Sequence, residues 1–267
     1  MIFWQAKRKE DDDNRHLVKY RRGGYNLSML RILDEKFWNK YFEVYDVLNE
    51  AHPYQQLMDN FVRETGVKKG NLVLDAGSGT GNLAIRLKKE GAEVIGVDIS
   101  EVGIKKHRRK DKNAQVLKHD LIFPLPFRDN HFDKIVCNNT IYTIAREKRG
   151  DIFKEFYRVL KPKGIIVISD IKVGFSPIKI YLAHLRKEFK QNSPLVALMK
   201  VIKLLPPTIQ MFYYNYFFIK PSSKGVTKFI EPGEHKKLLT AAGFQVIESK
   251  LTFANQAIMV KAVKRSP

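Results

Sequence analysis

The stretch Val73–Ala84, VLDAGSGTGNLA, decides the fold. An apolar run ends at Asp75, and Gly77, Gly79 and Gly81 then alternate with Ser78 and Thr80. Leu83, Ile85 and Leu87 follow at helical spacing. Strand, glycine loop and helix together let backbone N–H groups approach a polar or anionic ligand closely. Asp75, two residues before the first glycine, is the feature any ligand must accommodate.

Working outward, the same alternation repeats. AEVIGVDIS (92–100), AQVLKHD (114–120), FDKIVCNN (132–139) and GIIVISD (164–170) read as further strands. EVGIKKHRRK (101–110) and DIFKEFYRVLKPKG (151–164) read as helices, the second stopped by Pro162 and Gly164. EPGEHKKLLTAAGF (231–244) reads as one more helix, before the strands QVIESKLT (245–252) and QAIMVKAVK (256–264). The last two are joined so tightly that they must pair antiparallel. The others are apolar throughout, as strands covered on both faces should be. The pattern predicts an α/β fold with a doubly wound, mostly parallel sheet.

Residues 31–65 carry helical periodicity rich in aromatics, and residues 1–30 are polar, with a basic cluster at Lys19, Arg21 and Arg22. The expected organisation is an N-terminal arm with cap helices over 1–65 and a main domain over 66–267. Residues 171–230 break the rhythm of that domain as an insertion.

The bulk composition limits the options. With 267 residues, 44% of them hydrophobic, there is material for one sizeable core. The lone Cys137 excludes a disulfide framework and a cysteine-rich zinc site, and no metal is expected. It fits a reducing, cytoplasmic compartment. The charged start has no apolar signal core. The most apolar stretch, 195–220, is broken by Lys200, Lys203, Pro206 and Pro207. Forty-eight Lys and Arg against 28 Asp and Glu give a net charge of +20, which favours anionic partners.

Three ligands compete for the glycine loop. A triphosphate loop would need Gly-Lys-Ser/Thr, but Asn82 follows Gly81. A dinucleotide loop has G-x-G-x-x-G spacing, and Asp75 would repel its pyrophosphate. S-adenosylmethionine carries no phosphate, and its ammonium suits an acidic strand end. Asp98 can accept from ribose hydroxyls, and Asp120 from an adenine amine with Leu121 against the ring. Each aspartate alone reads equally as a turn or cap residue. Together on successive strands they form a set.

LDAGSGTG, VDIS, HDL, FDKIVCNN and VLKPKGIIVISD resemble, in order, the motifs of class I S-adenosylmethionine-dependent methyltransferases, and LLTAAGFQV continues the likeness. The resemblance implies a Rossmann-like seven-stranded sheet with an antiparallel last hairpin. It implies contacts from Asp75, Gly77, Ser78, Gly79 and Gly81 to the methionine part, and from Asp98 and Ile99 around the ribose. Asp120 and Leu121 would meet the adenine, and Asn138 would lie beside the sulfonium. FEVYDVLNEAHPY (42–54) looks like the opening segment of the quinone-biosynthesis C-methyltransferases, with Tyr45 closing over the cofactor. CNNTIYTI, after the fourth strand, departs from their longer loop.

Methyl transfer needs alignment and exclusion of water, and a base only if the acceptor must lose a proton. Tyr142 and Tyr45 are the candidates near the reacting methyl, with His119 and His131 behind them. The proline-containing motif of nucleic-acid amine methylases is absent. The insertion should hold the acceptor. Ile178, Tyr181 or Leu182, Leu185 and Phe189 fall at helical spacing, an apolar face that a lid would pack on the sheet and an interfacial helix would leave outward. Residues 172–230 hold ten bases and one acid, Glu188, a net of +9. Three readings stand for it: a helical lid over the acceptor, peripheral contact with an anionic membrane, or a nucleic-acid platform. The expected function is methyl transfer to a small lipophilic acceptor such as a lipid or quinone. The alternatives are an RNA methyltransferase and a non-catalytic S-adenosylmethionine-binding protein.

Overall fold

A computed structural model describes residues 35–219 and 229–266. The basic cluster at Lys19, Arg21 and Arg22, and Lys220, Lys224 and Lys228 of the insertion, lie outside the described residues. The sheet has seven strands: β1 (Leu72–Ala76), β2 (Glu93–Asp98), β3 (Gln115–Lys118), β4 (Phe132–Asn138), β5 (Leu160–Ile171), β6 (Phe244–Thr252) and β7 (Ala257–Lys264). Their order is β3-β2-β1-β4-β5-β7-β6. β1 to β5 run parallel, and β7 is antiparallel to both β5 and β6. The chain winds outward through β1, β2 and β3, then returns to lay β4 on the other side of β1. That reversal opens a crevice at the carboxyl ends of β1 and β4, the place where this topology holds ligands.

The helices among the described residues are α1 (Glu35–Tyr45), α2 (His52–Thr65), α3 (Asn82–Lys89), α4 (Glu101–Lys110), α5 (Arg146–Val159), α6 (Pro177–Gln191), α7 (Pro194–Tyr214) and α8 (Glu234–Ala241). Their ends obey local chemistry. Pro53 sits in the first turn of α2, and Gly66 closes that helix in the left-handed conformation. Ser100 caps α4 by accepting from Gly103 N at 3.0 Å, and Arg108, Arg109 and Lys110 place cations at its negative end. Leu57, Met58 and Phe61 of α2 are fully buried with Phe132, Ile135 and Val136 of β4 and Phe153 and Phe156 of α5.

Two expectations are corrected, and a direction left open is settled. The helix read over 151–164 starts earlier, at Arg146, and ends at Val159. Leu160 already pairs with Phe132, and the ladder resumes at Lys134 with Ile165. The residue before a proline avoids the helical region, so Pro162 ends α5 upstream, and Lys163 at φ +63° bulges the start of β5. The strands are also not all covered. β3 forms one edge of the sheet and exposes Gln115, Leu117 and Lys118, burying only Val116. Finally, α6 buries Ile180, His184 and Glu188, while Ile178, Leu182 and Phe189 face out.

The two ends of the insertion meet. Lys172 bridges to Ile230, Val173 N donates to Ile230 O at 3.1 Å, and Ile230 N donates to Ile171 O at 3.1 Å. α6 and α7 pack on each other and leave the sheet from that point, α6 against α2 and α7 against α1.

Candidate active site

The glycine loop folds back over the neighbouring strand. Gly77 N and Ser78 N both donate to Val97 O, at 2.8 and 3.0 Å. Gly79 N donates to Asp98 Oδ2 and Ser100 N to Asp98 Oδ1, each at 2.8 Å. One carboxylate thus joins the loop after β1 to the turn after β2. Gly77 has φ +79°, and a Cβ there would lie 2.1 Å from Thr140 Oγ1, so only glycine lets the loop rest on the end of β4. Gly81 has the same φ, and a Cβ would fall 2.1 Å from His107 Cδ2, so its role is to seat α3 against α4.

One continuous cavity opens over these strand ends. Asp75, Gly77, Ser78, Gly79, Asp98, Ile99, Leu121 and Asn138 line it, as do Tyr45, Tyr142 and His119. Gly81 and Asp120 do not line it; Asp120 Oδ1 instead accepts from Ile122 N at 3.0 Å, the turn role the sequence also allowed. His131 stacks on Phe127, away from the cavity.

The polar end of the cavity holds buried atoms without a partner in the protein: Asp75 Oδ2, Ser78 Oγ, and the Oδ1 atoms of Asn138 and Asn139. Leaving such atoms unsatisfied costs about 1–3 kcal/mol each, so their convergence marks a binding site for a polar ligand. Burial and, next, the nearby Asp98 carboxylate push the Asp75 carboxyl up to about 7. A cationic group beside it would relieve both effects. This donor and acceptor set fits the ammonium and hydroxyls of S-adenosylmethionine and offers no cation for a pyrophosphate among the lining residues.

Over this end sits an aromatic cap, in the segment where the sequence placed aromatic-rich cap helices, though it put only Tyr45 at the cofactor. Trp38, Tyr41, Phe42 and Tyr45 of α1 line the cavity with Tyr54 of α2. Tyr54 donates to Tyr45 Oη at 3.4 Å and accepts from Asn82 Nδ2 at 3.3 Å. Asp46 ties the cap to the glycine loop, accepting from Thr80 Oγ1 at 2.7 Å and pairing with Lys110 Nζ at 2.5 Å. Burial raises the phenols of Tyr45 and Tyr142 well above their ordinary value. Both stay neutral near pH 7, which suits hydrogen-bond donation and not proton abstraction.

A buried network holds Tyr142 in its turn. Asp170 Oδ1 accepts from Tyr142 N at 3.3 Å, and Asp170 Oδ2 lies 3.0 Å from His235 Nε2. Arg149, with no exposed surface, donates to Tyr142 O at 3.1 Å and Ile144 O at 3.0 Å and pairs with Glu234 Oε1 at 2.6 Å.

The opposite end of the cavity is apolar. Ile180 and Tyr181 of α6 and Leu204, Met211 and Phe212 of α7 roof it, with Thr208 and His184 as the polar exceptions on those helices. His184 belongs to a latch between α6 and α2. Glu188 Oε1 lies 2.8 Å from His52 Nε2, and His52 N donates to His184 Nδ1 at 3.4 Å. Glu188 Oε2 accepts from Lys200 Nζ at 3.0 Å and Asn192 Nδ2 at 2.8 Å. The ligand atoms of His52, His184 and Glu188 lie within 4.8 Å of one another, close enough for a metal ion, but Lys200 already matches the carboxylate charge. Burial works to raise the Glu188 carboxyl, but Lys200 and the two histidines outweigh it and hold it low. Burial and then His52 lower the His184 imidazole, which is neutral near pH 7.

Comparison with known proteins agrees with this geometry. A family model described as a methyltransferase domain matches residues 74–168, the segment from β1 through most of β5. Residues 74–168 carry the methyltransferase domain of the class I S-adenosylmethionine-dependent type. S-adenosylmethionine is the cofactor of this family. The chain is 27% identical over 245 residues to a demethylmenaquinone methyltransferase of Lactobacillus johnsonii, covering 84% of this chain and 93% of that one. It is 34% identical over 154 residues to the ubiquinone/menaquinone biosynthesis C-methyltransferase UbiE of Azotobacter vinelandii, covering 52% and 60%. The match of higher identity thus spans well under two thirds of its relative. Among solved structures, an S-adenosylmethionine-dependent methyltransferase from Aquifex aeolicus superposes with a TM-score of 0.55 at 20% identity, covering 86% of this chain and 98% of that one. The [4+2]-cyclase SpnF superposes with a TM-score of 0.54 at 16% identity, covering 80% and 82%. These two show the fold alone, and the second shows that the fold also carries other chemistry.

Proposed function

We propose that this methyltransferase alkylates a small lipophilic acceptor, a lipid or quinone, held beneath α6 and α7. The observation that carries this reading is that one cavity joins the orphaned polar atoms at the ends of β1 and β4 to an apolar roof. The likeness to quinone-biosynthesis methyltransferases supports it.

Bound S-adenosylmethionine supplies a methyl group on a sulfonium, which leaves as a neutral thioether. The chain's residues do the rest. Asp75 would hold the ammonium and Asp98 the ribose hydroxyls, with Ile99 and Leu121 against the flat faces and Asn138 near the methyl. The aromatic cap and the roof exclude water. Tyr142, buried, and Tyr45, half-buried, are both neutral and would orient the acceptor by donating hydrogen bonds. His119 and His184 line the cavity and would be the groups able to take a proton if the acceptor has to lose one.

We place the reaction in the cytoplasm, in peripheral contact with an anionic membrane. The buried free thiol of Cys137 suits a reducing compartment. Nucleic acid fits less well, because the basic helix α4 packs on α1 and β3 and not at the roof.

Methyl-labelled S-adenosylmethionine, incubated with the protein and a fractionated cell extract, tests the reading. Label in the organic phase is the expected result. Label in the nucleic-acid or polar fraction would refute the lipophilic acceptor. No label in any fraction would favour a cofactor-binding protein without catalysis.

A further inference from the structure

α7 is apolar all round, and its two sides do different things. One stripe, Ala197, Leu204 and Met211, is buried toward the protein. The opposite stripe, Leu195, Met199, Ile202, Leu205 and Ile209, recurs every three or four residues and is left in solvent, with Leu195 68%, Met199 63% and Ile202 61% exposed. α6, packed beside it, turns Ile178, Leu182 and Phe189 outward in the same spacing. Monomeric proteins seldom expose so large a contiguous apolar set without a partner for it.

The charge around these stripes has one sign. Residues 177–219 contain six bases and one acid. That acid, Glu188, is buried in the latch, so Lys179, Arg186, Lys187 and Lys190 stand exposed with no exposed carboxylate on either helix. α7 also bends by 52° between Pro194–Ile202 and Leu204–Phe217, near Pro206 and Pro207. No single helix among the described residues is long and apolar enough to cross a membrane, but this bent pair has the hydropathy of one. Apolar stripes flanked by lysines on helices too short or too bent to span are what an interfacial element presents. A second protein chain would have to match the cations with acids of its own, whereas an anionic bilayer supplies negative charge and an apolar layer at once.

We infer that the outer faces of α6 and α7 dock the protein on an anionic lipid bilayer. The inner faces of the same two helices roof the cavity, through Ile180, Leu204 and Met211. Docking therefore sets the lipid phase and the acceptor end of the cavity one helix layer apart. The route for the acceptor rests on the function proposed above; the docking itself does not.

Cosedimentation with vesicles tests it. The full chain is mixed with vesicles of phosphatidylcholine containing phosphatidylserine, and with phosphatidylcholine alone, at low and moderate salt. The wild type should pellet with the anionic vesicles, less so as salt screens the lysines. A Met199→Ser/Ile202→Ser/Ile209→Ser variant should lose at least about tenfold in partitioning, since three large side chains no longer enter the bilayer. A Lys179→Glu/Lys187→Glu/Lys190→Glu variant should lose at least as much at low salt. All of these side chains are exposed, and S-adenosylmethionine affinity by calorimetry checks that each variant is folded. A wild type that binds cofactor yet stays in the supernatant overturns docking and leaves the enzymatic reading intact. Vesicle binding without cofactor binding does the reverse. A wild-type dimer that the serine variant turns into monomers would assign the face to a second copy and overturn the proposal. So would lysine-dependent retention on RNA with no vesicle binding.

Discussion

The two ends of the cavity are built on opposite plans. The strand end is polar and short in sequence: N–H groups of the Asp75–Gly81 loop bond Val97 O and the Asp98 carboxylate, and Gly77 rests against Thr140. The roof is apolar, is held by side chains, and is tied to the body through the latch of Glu188 with His52 and Lys200. A site that must bind one fixed cofactor can be made of backbone and short loops. The acceptor site proposed at the other end is lined instead by side chains on two helices, Ile180 and Tyr181 of α6 and Leu204, Met211 and Phe212 of α7.

Substitutions can sharpen this contrast, the largest effect first. Arg149→Met removes the buried partner of Glu234, leaving it only the half-exposed Arg146 at 3.2 Å, and frees the turn that carries Tyr142. It should cost about 3–5 kcal/mol of stability, read as a fall in the denaturation midpoint; a loss below about 1 kcal/mol would show that the network holds little. Asp98→Ala removes the acceptor of Gly79 N and Ser100 N as well as the proposed ribose contact, and should weaken cofactor binding by about 2–3 kcal/mol in calorimetry. Unchanged affinity would remove Asp98 from the site.

Asp75 gives a pH signature. Its carboxyl titrates at about 7 in the folded protein against 3.8 for the ordinary group. Cofactor affinity should therefore fall as pH drops below 7, by up to about tenfold per unit, and Asp75→Asn should flatten the profile. The effect on stability runs the other way. A raised carboxyl favours the fold at low pH, and this contribution is lost as pH rises through 7. The cofactor-free protein should thus lose stability between pH 4 and 7 by more than Asp75→Asn does. The smallest effect is expected at the latch. Glu188→Gln keeps the shape but drops the charge opposite Lys200, which is half exposed. It should raise the KM for the acceptor a few-fold and leave cofactor affinity alone; an equal change in both would mean that the two ends are not separable.

The sequence was informative where the structure is local. Asp75, Gly77 and Asp98 stand at strand ends followed by turns, so their convergence follows from the order of strands. The roof was legible only as an insertion. On α6 the apolar periodicity of Ile178, Leu182 and Phe189 left its direction open between lid and interface, and the buried face is Ile180, His184 and Glu188. Periodicity finds a stripe but not what it faces, and the polar pair is bearable inside only because His52, 132 residues before His184, meets it. The i, i+4 spacing of His184 and Glu188, the one acid in a basic segment, was the available signal. The aromatic cap beyond Tyr45 and the role of Arg149 likewise depend on contacts between distant segments. Asp120 shows the converse: a strand-end aspartate that spends its oxygen on its own turn.

The division of the cavity is tested most directly by filling its roof. Thr208 on α7 lines the apolar end. Thr208→Trp should leave the dissociation constant for S-adenosylmethionine within about twofold while cutting methyl transfer to the lipid fraction more than about tenfold, a loss of over 1.4 kcal/mol in the transition state. Cofactor affinity and transfer falling together, or transfer left unchanged, would contradict an acceptor site beneath α6 and α7.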